Sequence, residues 1–391
     1  MVTGDHLGLH AAASAAADAS HQVTHLYVHL PFCGTRCAYC DFASEAIGPH
    51  RRSGALAAYM DKMGREAALL DPLLARPLET VYVGGGTPTA VPHHLLAGLL
   101  VDLGRLVSPS TEFTVEANPE TLDDATLELL ASHRVTRLSL GVQSFLPTGL
   151  AALGRRTPAG ATEKALDAMR RAGWAEWSLD LVFGIPGQDL AALEHDLGAA
   201  VAQRPPHISV YDLTYTDRFA RRLESQQGPD GRAAAEEFAD AHYALVSDRL
   251  SVAGYRRYEV SNYALSGHES RHNLGYWRGE DYVGLGASAV STVGGTRWTN
   301  PRSVVAYVAG EPAEVELLSP RVRLFERAML GLRTAEGVTE RGVEDVVDAA
   351  ELKRFVGLGL VERRCATLRL SPRGLDLGNA VLAAVLRSPE E

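Results

Sequence analysis

Six short β-rich runs, each followed by a loop of glycine, proline or lone polar residues, dominate the sequence between residues 25 and 216. The runs are HLYVHL (25–30), ETVYV (79–83), EFTVEA (112–117), VTRLSL (135–140), WSLDLV (177–182) and HISVY (207–211). Between them lie stretches with apolar residues at helical period, such as LAAYMDKMGREAALL (56–70), HHLLAGLLVDLGRLV (93–107) and TEKALDAMRRAGW (162–174). Such alternation predicts an α/β fold with a parallel sheet, open or curled into a partial barrel. The first run is followed by Pro31-Phe32-Cys33 and the second by GGGTPT (84–89). ANPET (117–121), GVQSF (141–145), FGIPGQ (183–188) and DLTYT (212–216) follow the others. Parallel α/β sheets build their sites at the carboxyl ends of strands. Six loops of this kind therefore share one face, the expected active site.

The remainder of the chain sets bounds. Its 391 residues suffice for one large α/β domain and a smaller one, and the formal charge of −10 argues against a mainly nucleic-acid-binding role. Residues 1–22 lack an N-terminal Lys/Arg cluster and have an interrupted alanine run, which reads as a disordered tail rather than a secretory signal. No apolar run approaches the ~18–20 residues of a spanning helix, so a cytoplasmic protein is expected. After the core region (23–258), with a polar insertion or linker at 224–237, a Gly/aromatic block connects residues 259–314. Residues 315–391 show helices near 321–333 and 340–356, a hairpin in LVERRCATLRLS and a closing helix in LDLGNAVLAAVL. That pattern predicts a small domain with a winged-helix-like wing, in a packing or lid role.

Three of the four cysteines fall within VHLPFCGTRCAYCDFAS (28–44): Cys33, Cys37 and Cys40. They are too many for one disulfide and one too few for a closed zinc site, whose second half is not visible. Clustered cysteines suggest a reducing compartment and a metal or redox role. Cys365 stands alone and reads as a buried small hydrophobe. A [4Fe–4S] cube has four iron corners, and three thiolates satisfy three of them. The fourth is open to a small chelate, such as the amine and carboxylate of an amino acid.

The C-x3-C-x2-C spacing, with Tyr39 before the last cysteine and GGGTP after the second strand, resembles the radical S-adenosylmethionine (SAM) superfamily. There the methionine moiety of SAM chelates the unique iron, and reduction of the cluster cleaves SAM to methionine and a 5′-deoxyadenosyl radical. The other strand-end loops fit the same ligand. Gly84, Gly85 and Gly86 allow close backbone approach with N–H groups for the amino-acid end, and Thr87 adds a hydroxyl. Further blocks narrow the resemblance: VEANPET, RLSLGVQSF, SLDLVFGIPGQ, YEVSNYA, RHNLGYWRGEDYVGLGASAVS and ERAMLGLRTAEGV. From about residue 25 onward the chain looks like the oxygen-independent coproporphyrinogen III oxidase-like branch. The resemblance implies a partial (β/α)6 radical-SAM barrel followed by an accessory C-terminal domain. It implies Cys33, Cys37 and Cys40 as cluster ligands. It also implies Tyr27, Tyr39, Gly85, Gly86, Thr87, Glu116, Gln143, Arg155, Asp180 and Val290 as SAM-contacting positions.

Two features divide that branch. The oxidases carry a further cysteine two residues past the third cluster ligand, where this chain has Phe42. The heme chaperones lack it and carry an H-N-x-x-Y-W block associated with heme, present here as His272, Asn273, Tyr276 and Trp277. The resemblance thus implies a heme carrier that serves unnamed acceptor proteins. Anaerobic decarboxylation of coproporphyrinogen III is the alternative, and radical-SAM methyl transfer a third. From the residues alone, a neutral imidazole can ligate iron and Tyr and Trp can wall a porphyrin, but one histidine beside two aromatics also packs. Whether His272 binds iron or shapes the pocket stays open, as do peripheral membrane contact and a homodimer. One departure from the branch stands in LTYTDRFARR, where Thr216 and Phe219 replace its usual Glu and Thr.

Overall fold

The computed structural model describes residues 22–227 and 239–388. The expected N-terminal tail, Gln22 apart, and most of the expected linker at 224–237 lie outside the described residues. The six runs form strands β1 (His25–Leu30), β2 (Thr80–Gly85), β3 (Glu112–Ala117), β4 (Arg137–Gln143), β5 (Trp177–Phe183) and β6 (His207–Asp212). They pair in chain order and all in parallel. Helices return the chain between them, among them α1 (Ala55–Leu70), α2 (His93–Leu103), α3 (Asp124–Ser132), α4 (Ala161–Arg171) and α5 (Leu190–Gln203). The curled parallel sheet with a helical coat is the predicted α/β partial barrel.

Period-two alternation decides which face each side chain takes. Leu26, Val28 and Leu30 of β1, Val81 and Val83 of β2, Phe113 and Val115 of β3, and Leu138 and Leu140 of β4 are fully buried in the main core under the helices. Each such side chain contributes about 1.5–3 kcal/mol by leaving water. The intervening residues are polar and point to the barrel interior: Tyr82, Glu116, Ser139, Asp180 and Tyr211 line one cavity there. The strands are thus apolar outside and polar inside.

The later segment extends the sheet at both edges. After α6 (Asp217–Gln227) and α7 (Ala239–Val252), strands β7 (Arg256–Arg257) and β8 (Asn262–Ala264) continue it beside β6. Helix α8 (Arg271–Trp277) then crosses to the other edge, where β9 (Tyr282–Leu285) pairs in parallel with β1. Strands β10 (Val290–Val293), β11 (Thr296–Thr299) and β12 (Glu314–Leu317) complete that edge, with α9 (Val304–Ala309) before β12.

A second core, from Ala328 to Leu386, belongs to the C-terminal residues. It joins α10 (Pro320–Gly331), α11 (Ala349–Gly357) and α12 (Gly378–Val385) to a three-stranded sheet of β13 (Val338–Thr339), β14 (Val361–Arg364) and β15 (Thr367–Leu370). The helix expected at 340–356 starts only at Ala349. Asp348 caps it there by accepting from the Ala350 and Glu351 amides, and residues 340–346 form two short 3-10 turns. Cys365 is not buried: it is exposed at the hairpin turn with φ 55°, where the β14–β15 reversal needs a left-handed residue.

Candidate active site

Each parallel strand ends at the same rim, and the cysteine loop folds over it. Phe32–Cys33 pairs with Glu45–Ala46, which closes the loop on itself. Ala38 N–H donates to the Leu153 carbonyl (3.2 Å) and Arg218 Nη2 to the Cys37 carbonyl (3.3 Å), anchoring its middle. Beneath it Phe219, 0% exposed, packs with Ala38, Leu153, Val182, Ile185, Leu213 and Leu223. Thr216 begins α6 by accepting from the Phe219 amide (3.3 Å) and also lines the cavity. The departure LTYTDRFARR therefore builds a helix that supports the cysteine loop.

A cavity of about 330 Å³ opens on this rim. It is lined by Cys33, Cys37, Tyr39 and Cys40 from the loop, Gly85, Gly86 and Thr87 after β2, and Glu116, Gln143, Arg155 and Asp180 from the ends of later strands. Of the sequence-derived cluster and SAM positions, Tyr27 and Val290 are the ones it does not include. They line a neighbouring cavity of about 370 Å³ with Tyr276, separated from the first by Asp41 and Phe42, which border both. Phe42 is 69% exposed on this partition.

The glycines of GGGTP are required by packing. A Cβ on Gly84 would meet the Glu116 carboxyl at 2.7 Å, and one on Gly86 would meet the Leu30 carbonyl at 2.7 Å. Gly85 adopts φ +100° against the His29 ring. The N–H groups here are already engaged, contrary to the expectation that they await a ligand. Gly85 N–H donates to Glu116 Oε2 (3.0 Å), Gly86 N–H to the Leu30 carbonyl (2.9 Å) and Thr87 N–H to the Phe32 carbonyl (2.8 Å). The close strand spacing that admits the carboxylate also consumes the donors.

The cavity walls carry perturbed groups. Burial raises the Cys33 thiol to about 11 and raises Cys37, which Arg155 partly offsets. Burial lifts Glu116 to about 7, against hydrogen bonds from the Tyr82 hydroxyl (2.8 Å) and Gly85 N–H. Asp180 is likewise raised by burial and accepts from Ser139 Oγ (2.8 Å). Arg155 is 9% exposed; its Nη2 donates to Asn118 Oδ1 (2.8 Å) and the Gly141 carbonyl (2.7 Å), its Nε to Thr157 Oγ1 (3.1 Å). Gln143 holds φ 70° beside an irregular register at Gly141, turning its side chain to the cavity. Asn118 also donates to Thr87 Oγ1 (2.8 Å), tying the second and third loops. Asn118, Tyr82, Ser139 and Tyr211 are not singled out from the sequence, although the last three stand as polar positions beside apolar neighbours in VYV, LSL and ISVY, and Asn118 stands in the strand-end loop ANPET. The three thiols line the cavity wall; among the described residues no three His, Cys, Asp or Glu side chains converge as ligands of a single ion. Three thiols around one void suit a multi-iron body better than a single ion.

The H-N-x-x-Y-W residues lie elsewhere. Helix α8 packs at the amino ends of β1–β3, and none of its four motif residues lines the cysteine cavity. Glu112, the first residue of β3, accepts from Ser270 Oγ (3.2 Å), Arg271 N–H (3.0 Å) and His272 N–H (3.0 Å). His272 is 2% exposed and stacks on Tyr82 at 5.1 Å. Burial, then the nearby His25, lowers it to about 3, so it is neutral. The Thr80 hydroxyl bridges His272 Nδ1 (2.7 Å) and His25 Nδ1 (2.8 Å), and His25 Nε2 meets Glu280 Oε2 at 2.6 Å. Asn273 is half-buried and donates its backbone N–H to Ser270 Oγ (3.3 Å). Trp277 lines a groove of about 760 Å³ against the C-terminal unit. No motif residue enters the cysteine cavity itself, but His272 backs its wall residue Tyr82 and Tyr276 lines the neighbouring cavity beside Asp41 and Phe42.

Comparison with known proteins agrees with this architecture. The Radical SAM superfamily model matches residues 27–199, and the HemN C-terminal domain model residues 318–377. The heme chaperone HemW of Bacillus subtilis is 33% identical over 377 residues, covering 92% of this chain and 98% of the relative. HemW of Synechocystis is 36% identical over 403 residues, covering 93% and 97%.

The chain belongs to the HemW family.

A Mycobacterium tuberculosis HemW is also similar, at 36% identity over 92% of this chain and 94% of the relative. Among solved structures, coproporphyrinogen III oxidase HemN from Escherichia coli, a radical SAM enzyme, superposes with TM-score 0.78 at 20% identity, covering 97% of this chain and 94% of that one. That likeness establishes the shared fold. Membership of the HemW family places the chain in the radical SAM superfamily, whose members are expected to use a [4Fe–4S] cluster and SAM. Among the described residues no helix is long and apolar enough to cross a membrane.

Proposed function

We propose that this protein is a cytoplasmic heme chaperone that binds heme and passes it to acceptor proteins, and that it carries a [4Fe–4S] cluster with SAM. Its parts are a radical SAM region over 23–258, the sheet extension at 259–314 and an accessory domain from 315. One observation chiefly supports the reading in a chain of this family: three thiols of one loop and polar groups from the ends of five other strands open on one 330 Å³ cavity.

Cys33, Cys37 and Cys40 would hold three irons as thiolates; burial of Cys33 and Cys37 opposes their deprotonation without a cation, so loading and proton release go together at those two. A cluster held there would supply one-electron reduction to SAM. Glu116 and Asp180, buried acceptors on adjacent parts of the rim, are assigned to the ribose hydroxyls. Arg155, held by Asn118 and the Gly141 carbonyl, is assigned to the SAM carboxylate, an ion pair strengthened by exclusion of water. Thr87, held by Asn118 Nδ2 (2.8 Å), and Tyr39 line the cavity beside the cysteines. Tyr27 and Val290 face the neighbouring cavity and are assigned to its partition rather than to direct contact.

Heme is assigned to the α8 end of the barrel, where Tyr276 and Trp277 offer aromatic faces to cavities. His272 acts there as a positioning residue that fixes α8 on Thr80 and Glu112. The test is a titration of the anaerobically reconstituted protein with heme, followed by Soret absorbance. Saturation at one heme per chain supports the chaperone reading, and a featureless linear response refutes it.

A further inference from the structure

The groove between the end of α8 and the C-terminal unit, on which Trp277 opens, is walled in part by C-terminal residues that have no role so far. Its volume, about 760 Å³, falls within the ~300–1,000 Å³ of small-molecule sites. One wall is Trp277. The other is α10 and the loop after it, through Leu324, Arg327, Val338 and Val343. Leu324, Val338 and Val343 belong to the second core, so that wall is a fixed apolar surface rather than a loop tip.

Its charges are unevenly matched. Arg278 is paired with Glu336 (2.6 Å) and Arg323 with Asp281 (2.7 Å). Arg327 is exposed and makes no ion pair among the described residues. The groove therefore presents an aromatic face, an apolar wall and one uncommitted guanidinium. That combination suits a flat apolar molecule bearing a carboxylate: the ring lies against indole and aliphatic surface, and the carboxylate takes a charge-assisted bond. The floor continues into the motif helix, because Glu280 in the groove bonds His25, and Thr80 links His25 to His272.

We propose that this groove is the heme seat, with Trp277 against the porphyrin face and Arg327 pairing a propionate, so that the C-terminal domain forms half of the binding site. The inference rests on the heme-chaperone reading and deepens it by giving the C-terminal domain a direct role.

The experiment compares iron(III) protoporphyrin IX with its dimethyl ester on the full-length, anaerobically reconstituted protein and on Arg327→Gln. Arg327 is exposed and forms no hydrogen bond or ion pair among the described residues, so the variant is expected to retain its structure, and unchanged iron and sulfide content checks this. The free acid is expected to bind Arg327→Gln about tenfold or more weakly than the unaltered protein. The ester, which has no carboxylate for the guanidinium, is expected to bind both alike. Leu324→Glu, which sets a carboxylate on the wall, is expected to weaken the acid more than the ester. If the unaltered protein binds the acid and Arg327→Gln binds it as tightly, the seat is wrong while the chaperone reading stands. If the unaltered protein binds neither form, the chaperone reading falls, and the seat with it.

Discussion

Glu116→Gln should abolish the pH dependence of stability that this carboxyl imposes on the apoprotein. Burial raises this carboxyl from 4.5 to about 7, so the folded state holds the proton more tightly than the unfolded chain. The sign follows by linkage. The contribution is fully present below about pH 4.5 and is lost as pH rises through about 7, where the folded protein must carry a buried anion. At about 1.4 kcal/mol per pKa unit the loss is at most about 3.5 kcal/mol, of which about 2 or slightly more falls between pH 5 and pH 8. Glutamine carries no charge at any of these pH values but keeps one acceptor for two donors, Tyr82 hydroxyl and Gly85 N–H. Leaving one unpaired costs about 1–3 kcal/mol at every pH. The variant should therefore be less stable than the parent at pH 5 and gain about 2 kcal/mol on it by pH 8. Urea denaturation of both apoproteins at the two pH values, under reducing conditions, measures this. A stability difference that does not change with pH would refute the buried-anion account.

Phe219→Ala removes a fully buried ring beneath the cysteine loop and should cost about 3–5 kcal/mol, read by urea midpoint, with poorer iron loading of the reconstituted protein. His272→Ala opens a buried gap and strands the Thr80 bridge, so it should lower stability by about 2–4 kcal/mol. Loss of heme binding with unchanged stability would instead make His272 a direct ligand. Cys365→Ser, at an exposed turn, should leave cluster content and denaturation midpoint unchanged. With SAM and a reductant supplied, the protein should form no protoporphyrinogen from coproporphyrinogen III, since Phe42 stands where the oxidases carry a cysteine; robust turnover, followed by porphyrin fluorescence, would contradict this.

The barrel was legible because strand and helix periods differ and because each strand is followed by its own functional loop. Aligning those loops sufficed to gather Cys33, Gly86, Glu116, Gln143 and Asp180 on one rim without knowing a single contact. Contacts between side chains distant in sequence were not legible. Nothing local in RHNLGYW shows that His272 would meet Thr80, 192 residues earlier, or that Glu112 would bind the start of α8. The same holds for Gly84 and Gly86, whose need for a missing Cβ comes from Glu116 and Leu30 on neighbouring strands. Cys365 reads as apolar by residue type, and only the hairpin geometry turns it outward. Val290 and Tyr27 fell beyond the Asp41–Phe42 partition because position along a strand does not fix which side of a loop a side chain faces.

The central claim is a cluster on Cys33, Cys37 and Cys40 whose free iron faces the strand-end cavity. Electron paramagnetic resonance of the anaerobically reconstituted, reduced protein, with and without SAM, tests it most directly. The account predicts about four irons and four sulfides per chain, a reduced-cluster signal whose shape changes when SAM is added, and loss of both in Cys37→Ala. A fully loaded preparation with no such signal, or with one that SAM leaves unaltered, would contradict it.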